Sequence, residues 1–266
     1  MIRIHRILAA CAIAVLLPSC QLRLEATEIP ADWNIDNVRQ SEPTGGAEII
    51  EIRNLHGDLR VRPVDEEEVS WSAMIQRHAD DPLRADIQTS GEGSTFRIEV
   101  RYPEVESFEP ADQPESWNKR RVDMTLFVPA KRQLIIETAR GLIEVKGLDR
   151  GVSARSQSGD IVLSTAGPVT AFTERGSITA QFSATDWESA VQLETLTGAI
   201  TVTLPPTADT TVTMTTSGEL TTDFSLTIDQ QPGSERKTAR ATTGKGESEL
   251  SMTSSRGNLK LLRSPS

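Results

Sequence analysis

Few residues in this 266-residue chain are of a type and placement that could do chemistry. Beyond residue 20 there are two histidines, His56 and His78, and no cysteine; Cys11 and Cys20 both lie at the N-terminus. Neither histidine has a histidine or cysteine neighbour to complete a zinc site or an activated nucleophile. His56 stands before a glycine at a position whose counterparts elsewhere are Arg140, Ser158, Arg175, Thr197, Ser217 and Arg256, so it is expected to be a solvated turn residue. No Gly-x-Ser-x-Gly elbow, P-loop or dinucleotide fingerprint occurs. Carboxylates are the remaining candidates: Asp65, Glu66, Glu67 and Glu68 after Pro63, an acidic stretch at 104–115, and Asp58 and Asp160 just after glycines. Two carboxylates on one face would suit glycoside cleavage. The positions equivalent to Asp58 and Asp160 hold Leu142, Ser177, Ala199, Glu219 and Asn258, a variation that suits a turn and not a calcium cage. The chain is therefore read as non-enzymatic, with no catalytic, cofactor-binding or metal residues. A polysaccharide-active enzyme working through surface carboxylates is the alternative.

Composition narrows the partners. The chain carries a formal charge of −10; without residues 1–19 it holds 26 Lys and Arg against 38 Asp and Glu. That balance excludes nucleic acid, whose binding needs a basic surface. Threonines crowd Thr195–Thr222 and alternate, as in Thr201-Val202-Thr203 and Thr211-Val212-Thr213, a pattern that fits exposed strand positions. The four tryptophans, Trp33, Trp71, Trp117 and Trp187, are scattered and form no sugar-stacking platform in the sequence.

The N-terminus reads as an address. Arg3 and Arg6 precede an apolar run from Ile7 to Leu17, then Pro18, Ser19 and Cys20. The run is too short for a membrane span and fits a signal-peptide core over residues 1–19. Ser19-Cys20 resembles the lipobox of bacterial lipoproteins, which implies lipidation of Cys20 and, with Gln21 following, an outer-membrane destination. Pro18 stands where that motif prefers Ala, Ser or Thr, and this leaves secretion to the periplasm with a free Cys20 thiol as the alternative. Residues 20–46, with Pro30, Pro43 and Gly45-Gly46, read as the lipidated cysteine and a flexible tether.

A glycine-centred unit organises the rest, at Gly57, Gly141, Gly159, Gly176, Gly198, Gly218 and Gly257. Two residues after each glycine stands an aliphatic: Leu59, Ile143, Ile161, Ile178, Ile200, Leu220 and Leu259. Seven and five before it stand apolar pairs such as Ile50/Ile52, Leu134/Ile136 and Val191/Leu193; three before it stand Asn54, Thr138, Ser156, Thr173, Thr195 and Ser254. The Gly218 unit departs, its Val212 and Met214 shifted by one. Inward positions three before and two after the glycine differ by an odd number, so two half-buried strands stay in phase only if the chain turns a corner between them. The small polar residue near the corner is placed to satisfy local backbone groups.

Recurrence every 17 to 22 residues from Gly141 to Gly218 predicts an all-β, repetitive β-solenoid or β-helix-like domain of strand-Gly-strand rungs over 47–262. It is looser over 47–130, with strands at 48–53, 58–62, 68–76, 95–102 and 121–128, and regular over 131–262. A β-sandwich of hairpins is the alternative.

Several of these features, Asn54-Leu55-His56-Gly57-Asp58-Leu59, Val128-Pro129, Ser158-Gly159-Asp160-Ile161 and Thr197-Gly198 running into Leu204-Pro205, follow in the order found in the putative-adhesin family of bacterial β-strand-repeat proteins. The chain resembles that family over about residues 46–262. The resemblance implies a binding, adhesin-like or scaffolding module of the cell envelope. It would be held at the membrane through its N-terminal lipid and meet an envelope polysaccharide or a protein partner. A self-associating structural component is a third reading.

Overall fold

The computed structural model describes residues 32–105 and 118–265. The described residues are all β, arranged in two large sheets of mixed pairing with no α-helix. Cys20 and residues 1–19, read from sequence as a signal peptide, lie outside them, as do Trp117 and most of the acidic stretch at 104–115.

Each glycine unit supplies one strand to each sheet. The units are β2 (Ile49–His56) with β3 (Leu59–Val64), β8 (Gln133–Arg140) with β9 (Ile143–Leu148), and β10 (Val152–Ser158) with β11 (Ile161–Thr165). They continue with β12 (Val169–Arg175) and β13 (Ile178–Phe182), β14 (Val191–Thr197) and β15 (Ile200–Leu204), β16 (Thr210–Thr216) and β17 (Leu220–Thr222), and β20 (Ser248–Ser254) and β21 (Leu259–Arg263). Neighbouring units pair in parallel, like residue beside like residue: Leu134 faces Val152, which faces Val169, and Ile161 faces Ile178, which faces Ile200. The two inner faces form a single aliphatic core, with Ile50, Ile136, Ile143, Ile178, Val202 and Leu259 fully buried. Parallel strands that bury an aliphatic or other small apolar side chain at most alternate positions explain why so few aromatics suffice.

The order of units in space is not their order in sequence. β6 (Thr95–Arg101) and β7 (Arg120–Pro129) form a unit outside β2 and β3, so the first glycine unit lies second in the stack. At the other end β20 and β21 pair with β14 and β15, and β16 and β17 lie outside them. The shifted phase at Gly218 thus belongs to the terminal unit. Val212 and Met214 still face Leu250 and Met252, and the missing residue falls between them and the corner.

Antiparallel strands close both ends. β1 (Trp33–Pro43) and β4 (Glu68–His78) extend one sheet beyond β7, and β5 (Asp86–Glu92) covers β6 in the other. β18 (Thr227–Gln230) and β19 (Lys237–Thr243) extend the second sheet beyond β16. Residues 33–43, read from sequence as part of the tether, are therefore strand. β1 is an edge strand with most side chains half-buried or exposed, so it carries no strong apolar alternation to announce it. The predicted strands at 48–53, 58–62, 68–76, 95–102 and 121–128 coincide with β2, β3, β4, β6 and β7, while β5 falls in the polar stretch between the third and fourth of them, where no strand is predicted.

The corner glycines lie one on another. A side chain on Gly141 would overlap the carbonyl oxygen of Gly57, one on Gly159 that of Gly141, and so on through Gly176, Gly198, Gly257 and Gly218. Gly57 and Gly141 also hold φ of +135° and +146°, outside the range of other residues. Beside this column runs a buried ladder of small polar side chains. Thr173 Oγ1 donates to Gly159 O at 3.0 Å, Thr195 Oγ1 to Gly176 O at 2.9 Å, Ser254 Oγ to Gly198 O at 2.9 Å and Thr216 Oγ1 to Gly257 O at 2.6 Å. Each hydroxyl ties its unit to the corner of the adjacent one, so the backbone group it satisfies belongs to a neighbouring unit and not, as the spacing suggested, to its own corner. At two positions, Thr138 and Ser156, the buried hydroxyl has no partner. Thr195→Val is expected to cost about 1 kcal/mol, the usual net worth of such a bond, and Thr138→Val to cost nothing or to stabilise. Urea titration of the two variants checks the contrast.

Candidate functional site

His56 is not the solvated turn residue expected from sequence. It is buried, because the stack does not end at β2: β6 and β7 cover it. His56 Nδ1 lies 2.8 Å from Arg120 O, and the Tyr102 hydroxyl sits 2.7 Å from His56 O and 2.8 Å from Asn54 Oδ1. Asn54 Nδ2 donates to Val122 O at 2.8 Å, doing for this unit what Thr and Ser do elsewhere. Burial lowers the His56 pKa and raises that of Tyr102, so both stay neutral at pH 7. The same cluster contains an ion pair that sequence reading missed. Arg120, 1% exposed, sets Nε 2.6 Å from Asp81 Oδ2 and Nη2 2.9 Å from Asp81 Oδ1, and donates through Nη1 to Pro103 O at 3.1 Å. No signal in the sequence pairs positions 81 and 120, which stand 39 apart with β5 and β6 between them. These polar groups are turned inward and partnered with one another, which suits a seal near the end of the stack.

The surface carboxylates divide similarly. Asp65–Glu68 are exposed; Glu67 meets Arg132 and Glu68 accepts from Ser41. Asp58 Oδ1 accepts the Leu142 amide at 3.1 Å and Asp160 Oδ1 the Ser177 amide at 2.8 Å, each reaching the next unit in the stack. Asp123 Oδ1 does the same for the Asp58 amide at 2.7 Å, and Arg121 bridges Asp58 and Asp123. These carboxylates fasten corners together. Among the described residues no group of three or more His, Cys, Asp or Glu is placed to hold a metal ion, and no helix is long and apolar enough to cross a membrane.

On the outer face of the second sheet alternate residues of consecutive strands line up by register. Near β2 this face is a charge ladder: Arg97 and Arg53 both meet Glu51, and Arg155 stacks 4.9 Å over the Phe172 ring. Toward β16 it becomes rich in uncharged hydroxyls. Gln192 faces Ser251, Ser251 faces Thr213, and Thr213 faces Arg240; in the next row Glu194 faces Thr253 and Thr253 faces Thr215. A groove of about 600 Å³ runs here, lined by Gln192, Glu194, Thr213, Arg240, Glu249 and Ser251 among others. The threonine alternation marked Thr211 and Thr213 of this lining as outward, while Thr195, Thr210 and Thr216 from the same stretch are buried. What sequence could not show is that β20 lies between β14 and β16 and so completes the groove.

No protein-family model and no curated protein sequence matches the chain. Among solved structures, one described as a "putative cell adhesion protein" from Clostridium sporogenes aligns over 87% of this chain and all of its own length, at 13% identity and a TM-score of 0.51. The two share a fold. A structure described as a "putative adhesin" from Bacteroides fragilis aligns over 86% of this chain and 97% of its own at 9% identity, with a TM-score of 0.27.

Proposed function

We propose that the chain is a non-enzymatic, adhesin-like contact module of the bacterial envelope. In this reading the paired sheets are a flattened β-solenoid whose coils are the glycine units, anchored through a lipid on Cys20. The observation that carries it is the groove on the second sheet. Hydroxyl, amide and single charged groups stand on strands hydrogen-bonded on both sides, in parallel at β14 and β20 and with antiparallel partners at β16 and β19, a rigid array of donors and acceptors suited to a hydroxyl-rich polymer such as an envelope polysaccharide. The adhesion description of the structure sharing its fold agrees with this reading.

Glu194 and Glu249 give an enzymatic reading some footing, since both line the groove from adjacent strands. One experiment separates the two. The mature chain is co-sedimented with insoluble cell-wall and exopolysaccharide fractions while the supernatant is assayed for released sugar. Saturable retention without release is expected, weakened about tenfold or more by Thr213→Glu with Ser251→Glu, which puts two charges on the groove floor without touching the core. Release of sugar that stops in Glu194→Gln or Glu249→Gln would overturn the binding reading in favour of catalysis. Retention equal in wild type and groove variant would move the contact surface elsewhere.

A further inference from the structure

The corner edge of the stack carries a second pattern, independent of the groove. In spatial order, the residues preceding the corner glycines from β8 onward are Arg140, Ser158, Arg175, Thr197, Arg256 and Ser217. Arg140 faces Ser158, Ser158 faces Arg175, and Arg175 faces Thr197. The contacts of Gly198 with Gly257, and of Gly257 with Gly218, carry the column on to Arg256 and Ser217. An arginine therefore recurs at every second strand, and all three are exposed. Strands about 4.8 Å apart place successive arginines about 9.5 Å apart along a straight edge.

The residues between them, Ser158 and Thr197, are short, as is Ser217 beyond Arg256. Thr197 Oγ1 is bonded to Glu174 O at 3.1 Å and Ser217 Oγ to Ser255 O at 2.7 Å, so both hydroxyls are drawn down onto the backbone. Asp160, the acidic residue following the corner between Arg140 and Arg175, has its Oδ1 engaged by the Ser177 amide. A guanidinium presents a planar fork that matches a carboxylate or sulfate. The chain as a whole is strongly acidic and repels polyanions at long range. A polyanion thus gains at this edge only where its charges fall opposite the arginines.

We propose that the Arg140–Arg175–Arg256 column binds an acidic polysaccharide carrying one anionic group per disaccharide. Each contact is weak and exposed, so affinity accumulates with the number of repeats engaged. The matching repeat is selected over denser anions because the alternate positions offer no cation.

The test uses the mature chain and three labelled polymers: hyaluronate oligosaccharides with one carboxylate per disaccharide, polygalacturonate with one per sugar, and single-stranded DNA. Fluorescence anisotropy should show hyaluronate affinity rising about tenfold as the oligosaccharide lengthens from one to three repeats, with weak binding of the other two. Arg175→Gln, which interrupts the column at its centre, should abolish the length dependence, and Arg175→Lys should restore part of it. Thr197→Arg, which fills a gap, should shift preference toward polygalacturonate. These variants all lie on the exposed edge, and a thermal melt confirms that each is folded. Equal binding of hyaluronate by wild type and by an Arg140→Gln/Arg175→Gln/Arg256→Gln variant would overturn the proposal. So would equal affinity for all three polymers, or no binding of hyaluronate at any length. The groove variant Thr213→Glu with Ser251→Glu should leave hyaluronate binding unchanged, which keeps failure of one surface distinct from failure of the other.

Discussion

Gly176→Ala should lower the stability of the protein by about 3 kcal/mol or more, although it adds one methyl group to a residue at the surface of the stack. The added Cβ would overlap the carbonyl oxygen of Gly159, a backbone atom that cannot swing aside as a side-chain tip can. Relief requires the two units to separate locally, and the Thr195 hydroxyl bonded to Gly176 O would move with the strand. The column transmits the disturbance, because Gly159 is itself seated on Gly141 and Gly198 on Gly176. Gly91→Ala, in β5 with open space around the added methyl, is the control and should change stability by no more than about 0.5 kcal/mol. Denaturant midpoints at unchanged m-value would measure both. Equal midpoints for the two variants would mean that the corners are looser than their packing implies.

Removing one member of the Arg120–Asp81 pair should cost about as much or more. Arg120→Met leaves the Asp81 carboxylate buried without its guanidinium and releases Pro103 O, a loss of about 3–5 kcal/mol by the behaviour of buried ion pairs. Replacing both partners, as in Arg120→Met with Asp81→Leu, should recover most of it, since the penalty lies in the stranded charge. The pair also fixes a pH response. The hydrogen bond from Arg120 is the main cause holding the Asp81 carboxyl below the usual carboxylate range. Its stabilisation is therefore complete above the unfolded carboxyl value of about 4 and is lost as pH falls through the lower folded value. The stability gap between wild type and Asp81→Asn should accordingly be constant near neutrality and close in acid. A gap that widened in acid would assign the effect to another group.

Much of this architecture was legible in the residues themselves. Ile50, Leu134 and Val191 at one repeat position, and Leu59, Ile161 and Ile200 at another, are all buried, and the odd spacing between the half-units does mark a corner. That reading worked because a parallel stack repeats the same local environment in every unit, and so repeats the same selection on side chains. The rest depended on partners that no local pattern encodes. β1 and β5 are edge strands with one neighbour, His56 was judged by corner positions that are not covered as it is, and Arg120 finds Asp81 across 39 residues. The groove, likewise, exists only because β20 inserts between strands that precede it.

That insertion bears on how the chain comes apart and how it is made. In an ordinary array of repeats the outermost copy is also the terminal one, and it frays first, one unit at a time. Here the first and last glycine units each sit one place inside the end, held on both sides by parallel neighbours. The edge strand β1 can still detach, but sequential peeling of glycine units from the chain ends is thereby blocked, and opening at either end must release a unit whose two flanking segments run on into the body. The strands at β14, β15, β20 and β21 are thus expected to exchange their amide hydrogens together at near-global free energies. During synthesis, β16 and β17 emerge before the strands that will join them to β14 and β15. The far cap can therefore close only when nearly the whole chain is present, a late, long-range step that makes folding slow and all-or-none instead of progressive.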